Sequence, residues 1–226
     1  MIELENVSKY ILENFNLKIN EGEFVTIIGG NGAGKSTLFN IINGNYKPTD
    51  GRVVLDGKDI TKMSRCKRAS ILSCVYQDPN AGVCPELTVA ENLAVANFKT
   101  RATFSEQLGK FGLGLEGKLK QKVSNLSGGQ RQVVTLLMAT MRKPKLLLLD
   151  EHTSALDPKI AKTVMRITEL LVREQKITTV MITHNMSDAI AYGERLVMLQ
   201  GGKIVMDVTG DAKRNLTAID LLKKFE

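Results

Sequence analysis

The sequence predicts an α/β fold: a parallel-sheet core, a flanking antiparallel β subdomain and a small helical subdomain inserted between core strands. Three observations predict it. Short apolar runs at Phe24–Ile28, Lys145–Leu149 and Thr178–Ile182 have the length and composition of strands buried on both faces. Stretches of helical period alternate with them, above all Gly128–Met141 and Pro158–Gln175. Between the first strand and a helical pattern lies Gly29-Gly30-Asn31-Gly32-Ala33-Gly34-Lys35-Ser36-Thr37, which fits G-x-x-x-x-G-K-[ST], the P-loop.

In chain order, Ile2–Val7 alternates apolar and polar residues and reads as a half-exposed strand. Asn14–Ile19 alternates again, and Asn20-Glu21-Gly22 turns into the P-loop strand, so the first two strands form a small antiparallel sheet beside it. Leu38–Ile42 has helical spacing, with Asn43-Gly44 as a stop. Lys47–Gly51 is a turn cluster, Arg52–Leu55 a strand, Asp56-Gly57 a turn, Ser64–Arg68 a short basic helix and Ile71–Tyr76 a buried strand. Residues 78–126 hold prolines, scattered glycines and two short helical patterns, Val89–Asn97 and Ser105–Phe111, without a strand burst. They read as the inserted helical lobe, with Lys118–Lys122 a solvated charge run. Then follow the helix Gly128–Met141, the strand Lys145–Leu149, the helix Pro158–Gln175 opened by its proline, and the strand Thr178–Ile182. Met186–Tyr192 is a short helix, Arg195–Leu199 and Lys203–Val208 form a hairpin through Gly201-Gly202, and Ala218–Phe225 closes as a basic helix. The expected organisation is one domain over 1–226: residues 1–77 and 127–226 make the core with its β subdomain, and 78–126 the helical subdomain.

The bulk numbers agree with a single large domain of 226 residues, 43% apolar and 24% charged. A net charge of +7, from 31 basic and 24 acidic residues, is mild. It suits nucleic acid, an anionic membrane face or nucleotide, and equally a basic surface with no partner. Cys66, Cys74 and Cys84 are odd in number and lack metal-ligand spacing, as expected of free thiols in a reducing compartment. Met1–Glu5 has no signal-peptide pattern, and no apolar run reaches the length of a membrane span, so at a membrane another chain must do the spanning.

The chemistry starts at the P-loop. Glycines let the backbone turn its N–H groups toward phosphate oxygens, and the new helix points its positive end at the same place. Lys35 is expected to reach the β- and γ-phosphates and Ser36 to hold Mg2+. Leu146–Leu149 runs into Asp150 and Glu151, two acids at the carboxyl end of a core strand, which is the ligand edge of a parallel sheet. Asp150 is expected to position the metal and Glu151 to polarise the attacking water. Leu126-Ser127-Gly128-Gly129-Gln130 opens a helix with a serine and two glycines, a second anion-binding helix start.

These motifs together resemble the nucleotide-binding subunit of ATP-binding cassette (ABC) transporters, whose core is of the P-loop NTPase type. Leu126–Gln130 matches that family's signature motif at every position, and the resemblance covers nearly the whole chain. It implies that Gln77 is the Q-loop glutamine touching Mg2+ and water, that Ser154–Asp157 is the D-loop, and that His184 is the switch histidine contacting the γ-phosphate. It implies ATP and Mg2+ as ligands, and a head-to-tail dimer in which each ATP lies between one P-loop and the Ser127–Gln130 segment of a second copy. It further implies a multi-span membrane permease, a substrate-binding protein, and a cytoplasmic location on the inner face of the plasma membrane.

Three departures stand out. The stretch Ser8–Glu13, where the family carries an adenine-stacking aromatic, is shortened; Tyr10 is its one aromatic residue, and it could equally belong to a strand or the core. The helical lobe is trimmed. His152 follows Glu151 where proline is common, and reads as tolerated in the loop rather than catalytic. Gly29-Gly30-Asn31, Gln77–Gly82, Met138–Thr140 and Asp150–Asp157 are similar to importer ATPases that work with binding proteins for aromatic amino acids or related small molecules. The reading is therefore the ATP-hydrolysing motor of an importer. The alternatives are the ATPase of an exporter or lipid-extraction complex, or a soluble assembly-scaffold cassette. Nucleic acid is not an expected partner: there is one cassette, no coiled-coil insertion and no strongly basic tail.

Overall fold

The computed structural model describes residues 1–96 and 104–224. The helix ends expected at Asn97 and Phe225, and residues 97–103 of the inserted lobe, lie outside the described residues. The chain forms two compact units: Met1–Ser73 with Pro144–Glu151 and Lys176–Glu226, and Cys74–Lys143 with His152–Gln175. The second unit is wider than the lobe 78–126, because the two long helices belong to it.

In the first unit β1 (Ile2–Lys9) and β2 (Leu12–Ile19) form a hairpin, and β3 (Phe24–Gly29) leads through the P-loop into α1 (Lys35–Asn43). β4 (Asp50–Leu55), β5 (Lys58–Asp59) and α2 (Arg65–Arg68) follow, and β6 (Leu72–Val75) crosses into the second unit. There the chain forms α3 (Val89–Ala96), α4 (Phe104–Gly109), two 3-10 turns and α5 (Gly128–Thr140). β7 (Leu146–Asp150) returns to the first unit, and α6 (Pro158–Gln175) belongs to the second. β8 (Thr178–Ile182), α7 (Met186–Ala191), β9 (Arg195–Gln200), β10 (Lys203–Thr209), α8 (Gly210–Arg214) and α9 (Ala218–Leu222) complete the first.

The expected flanking sheet is present as β2-β1-β4-β5, antiparallel throughout. The core sheet runs β10-β9-β3-β8-β7-β6. β3 is parallel to β8 and β9, and β7 to β8, while β10 is antiparallel at one edge. The burial patterns follow from these positions. Every residue of β3 and of β8 is buried, whereas β10 alternates half-buried and exposed residues as an edge strand does. Ile28, Leu196 and Met198 of this sheet pack with Ala189 of α7 and Leu221 of α9. β5 and α8 were not expected; two and five residues are too few to show a period.

The basic helix at Ser64–Arg68 has an unexpected task. Arg68 is buried, and all five of its N–H groups meet main-chain carbonyls. Nη1 donates to Ile41 and Ile42, Nη2 to Ile60 and Thr61, and Nε to Met63, at 2.6–3.2 Å. Two of those carbonyls belong to the last turn of α1, where a cation also meets the negative end of the helix dipole. Burial lowers the pKa of the guanidinium, opposed by Asp59, but arginine keeps its charge. Arg68→Met should therefore leave several buried carbonyls unpaired and destabilise the protein by about 3 kcal/mol or more. Arg68→Lys should recover only part, because an ammonium cannot serve five acceptors in a plane; urea unfolding with a circular-dichroism readout measures both.

In the second unit the charge run Lys118–Lys122 is not a plain solvated face. The Lys118 ammonium donates to Gln130 Oε1 (3.1 Å), and the Leu119 carbonyl accepts from Ala90 N, so the run is folded against the helices it follows and precedes. His152 is also more than tolerated. It is buried, and its Nε2 lies 3.0 Å from Thr168 Oγ1 on α6. The Thr168 hydroxyl already donates to the Val164 carbonyl, so Nε2 carries the proton of a neutral ring. Burial lowers the His152 pKa from 6.5 to about 4. Between those values the unfolded chain binds the proton and the folded chain does not. Stability is therefore complete above pH 6.5 and falls as the pH drops toward 4, by on the order of 3 kcal/mol from this residue. In His152→Gln that part of the acid loss should vanish, which urea unfolding at a series of pH values will show as a flatter profile.

Candidate nucleotide site

The site of the first unit is built at the carboxyl ends of three parallel strands. Ile27 of β3 pairs with Ile182 of β8, and Ile182 pairs with Asp150 of β7, so the three chains leave the sheet in one row. Thr183 N donates to Ile27 O and Glu151 N to Ile182 O, which carries the alignment one residue past the strands. The P-loop, the two acids and His184 thereby reach the same edge, as expected of a ligand site in such a sheet.

At the P-loop, Gly34 caps α1 with φ 105, a conformation closed to other residues. A Cβ there would also lie 2.9 Å from Leu12 Cδ2 and 3.3 Å from Ile11 Cγ2 of the β1–β2 turn. Lys35 is buried, and its ammonium donates to the Gly29 and Gly30 carbonyls at 2.7 and 2.9 Å. Burial lowers its pKa, while the Glu151 and Asp150 carboxylates favour its charge. Asp150 shows the complement: burial and then repulsion from Glu151 raise its pKa, and Lys35 opposes them. Glu151 has φ 47, an uncommon backbone region for a residue with a side chain, and its Oε2 lies 3.2 Å from His184 Nδ1. Lys35, Asp150, Glu151 and His184 are thus gathered as the sequence suggests, with Ser36 exposed at the first turn of α1. The Ser36 hydroxyl and the Asp150 carboxylate are hard oxygen donors of the kind Mg2+ takes together with substrate phosphates, so these residues fit that ion.

Tyr10 occupies the two-residue turn between the paired Lys9 and Leu12, with φ 53, and is 70% exposed. It is therefore neither a core nor a strand residue: the hairpin is too tight to fold the ring inward.

The remaining expected residues lie in the second unit. Ser127 caps α5 in a reciprocal box: its Oγ accepts from Gln130 N (3.3 Å), and Gln130 Oε1 accepts from Ser127 N (3.2 Å). The Gln130 amide also donates to Leu113 O (3.0 Å), so this side chain has structural work inside its own unit. Gly128 is half-buried, and Gly129 faces α6 so closely that a Cβ would sit 2.1 Å from Ile160 Cγ2. Asp157 of the expected D-loop caps α6 by accepting from Ile160 N (3.0 Å). Gln77 is exposed, and the residues around it are fastened to α5. Gln132 Nε2 donates to Tyr76 O (3.0 Å), Arg131 Nη1 to Asn80 Oδ1 (2.6 Å) and Thr135 Oγ1 to Pro79 O (3.4 Å). Sequence reasoning missed these three; the available signal was the burial-prone face of α5 carrying Gln132 and Thr135 among apolar residues.

Among the described residues no helix is long and apolar enough to cross a membrane. Residues 12–154 match the ABC transporter family. A tyrosine transport ATP-binding protein of Clostridioides difficile (strain R20291) is 44% identical, with 100% of this chain and 99% of that protein covered. That alignment spans 248 positions, more than this chain has residues, so the relative carries segments without a counterpart here. The spermidine/putrescine import ATP-binding protein PotA of Haemophilus ducreyi is 36% identical over 92% of this chain, which spans only 58% of that longer protein. Among solved structures, the dimeric post-hydrolysis state of the ATP-binding cassette MJ0796 bound to ADP and Pi matches with a TM-score of 0.72 and 33% identity, over 92% of this chain and 98% of that one. The ADP conformation of MJ1267, an ATP-binding cassette of an ABC transporter, matches with a TM-score of 0.78 and 28% identity, over 94% and 92%. The fold expected from the sequence is thus that of solved cassettes, and the chain belongs to the ABC transporter family as an ATP-hydrolysing, nucleotide-binding subunit.

Proposed function

We propose that this subunit is the motor of an importer, with the transported compound a small molecule such as an aromatic amino acid. The observation that carries the catalytic part is the single row Ile27, Ile182 and Asp150, which brings Lys35, Asp150, Glu151 and His184 to one sheet edge. The full-length likeness to a protein named for tyrosine transport supports the importer part. The domain is one cassette, with residues 78–126 as the lobe that meets the membrane partner. The partners are a second copy, a multi-span permease and a substrate-binding protein, and the place of work is the cytoplasmic face of the plasma membrane.

In this reading the P-loop residues Gly29 to Thr37 bind the phosphates, with Lys35 turning its ammonium from the Gly29 and Gly30 carbonyls to the β- and γ-phosphate oxygens. Ser36 and Asp150, with Gln77, would hold Mg2+, which when bound neutralises phosphate charge. Glu151 accepts a proton from the attacking water, and His184, within hydrogen-bonding distance of that carboxylate, orients it and reaches the γ-phosphate. Tyr10 stacks on adenine. The Ser127–Gly129 segment of a second copy, with Gln130 as its anchor, completes each site by presenting a helix start to the phosphates.

A site completed by a second copy makes the isolated chain mostly monomeric and a slow ATPase. Glu151→Gln should slow hydrolysis and accumulate an ATP-bound dimer, seen as a shift to twice the mass in size-exclusion chromatography with light scattering. A variant that stays monomeric at saturating ATP would overturn the sandwich. For the transport part, the tagged chain should be captured from a mild-detergent extract of its native cell and its partners identified. A multi-span permease with a substrate-binding protein is the expected result. A permease with no binding protein would favour an exporter or lipid-extraction complex, and soluble partners alone would favour an assembly scaffold.

A further inference from the structure

Stacking by Tyr10 raises a physical question: what keeps an aromatic ring that is 70% exposed in one place? The backbone does part of it. A bulky residue at φ 53 sits in a region usually left to glycine or asparagine, either of which would hold this turn with less strain. The turn is also seated on the P-loop, where Ile11 and Leu12 fill the space that a Cβ on Gly34 would need. Such strain at an exposed tip marks a residue kept for its side chain.

The ring itself is held by Tyr46. The two ring centroids are 5.5 Å apart and the planes lie at 80°, the perpendicular arrangement that aromatic quadrupoles favour. Lys9 Nζ lies 5.0 Å from the Tyr10 centroid, over the ring. Tyr46 is itself well anchored. It leaves the end of α1, its N–H donates to Asn40 O (2.9 Å), and Arg68 fixes the carbonyls of Ile41 and Ile42 just before it. Its own side is 37% exposed, so it is not a core residue.

We propose that Tyr46 is a positioning residue for the nucleotide base: it holds the Tyr10 ring as a preformed wall, so that binding does not have to order it. One helix then serves both ends of the nucleotide, with the phosphates at the start of α1 and the brace for the base just past its end. The inference rests on the reading of Tyr10 as the base-stacking residue. Preorganisation of this kind improves affinity by lowering the ordering cost of binding.

The test compares two ligands of the isolated chain by titration calorimetry in the presence of Mg2+: ATP, and inorganic tripolyphosphate, which lacks the base. Tyr46→Ala should weaken ATP binding by roughly 3- to 10-fold. It should leave tripolyphosphate binding unchanged, and Tyr46→Phe should retain the wild-type affinity for ATP. Tyr10→Ala should weaken ATP binding at least as much, and adding Tyr46→Ala to it should cost nothing further. If Tyr46→Ala weakens both ligands alike, the residue supports the loop and not the base, and the inference is overturned. If Tyr10→Ala weakens ATP binding but Tyr46→Ala does not, the inference fails while the stacking reading stands. If Tyr10→Ala leaves ATP binding unchanged, the stacking reading fails and takes the inference with it.

Discussion

A buried ammonium has to be compensated, and in the first unit the compensation of Lys35 ties together the parts that matter. Two carbonyls of its own loop accept its protons, and the carboxylates of Glu151 and Asp150 supply opposite charge from the end of β7. The arrangement works in both directions, since the same ammonium opposes the burial and repulsion that push Asp150 toward its neutral form. Neither group could be buried so comfortably alone. The mutual requirement fixes the register of the sheet, because a slip of one residue between β7 and β8 would turn Asp150 to the other face. In the proposed function, phosphate chemistry at this edge therefore depends on strand pairing that looks remote from it.

The other end of α1 is constrained just as firmly. A helix that presents its first N–H groups to an anion must not shift along its axis when the anion comes and goes. Arg68 prevents such a shift by holding the Ile41 and Ile42 carbonyls, and it links them to Ile60, Thr61 and Met63 in the same five-bond set. The positive charge sits at the negative end of the helix, so the lock and the dipole act in the same sense. α1 is thus a short rod fixed behind, with its polar end free to meet a ligand.

What the sequence shows and what it hides follow from the range of the forces involved. The P-loop, the acid-ended strand β7 and the buried strand β8 are local patterns, and the observed bounds of β8 and α6 coincide with the expected ones. Arg68 could not be understood in this way. Its neighbours in sequence make it read only as part of a short basic helix, and its five acceptors lie up to 27 residues away. His152 is similar, since only the arrival of Thr168 one helix later explains its burial. The role of Ser127 and Gln130 was half legible. S-x-x-Q is a capping-box pattern, yet the second bond from Gln130 to Leu113 depends on how the preceding lobe folds back. Tyr10 is ambiguous for a related reason, because an aromatic residue in a shortened hairpin points outward or inward according to the turn, and the turn is set by the pairing of Lys9 with Leu12.

The second unit carries the same logic into α5. Four of its residues serve different segments: Gln130 holds Leu113 and Ser127, Arg131 holds Asn80 and the Leu126 carbonyl, Gln132 holds Tyr76, and Thr135 holds Pro79. Gly82 packs on Thr135 with no room for a side chain, which closes the strap from residue 76 to residue 82. Gln77 lies inside that strap and Ser127 at the head of the helix that holds it. Hydrogen bonds at Tyr76, Pro79 and Asn80 and the packing of Gly82 mean that neither the strap nor the start of α5 can move far without stretching contacts to the other. In the proposed cycle Gln77 and the segment that closes over the nucleotide of a second copy would therefore travel together. The connection is made by side chains of the first two turns of α5, and it needs no long-range relay through the core.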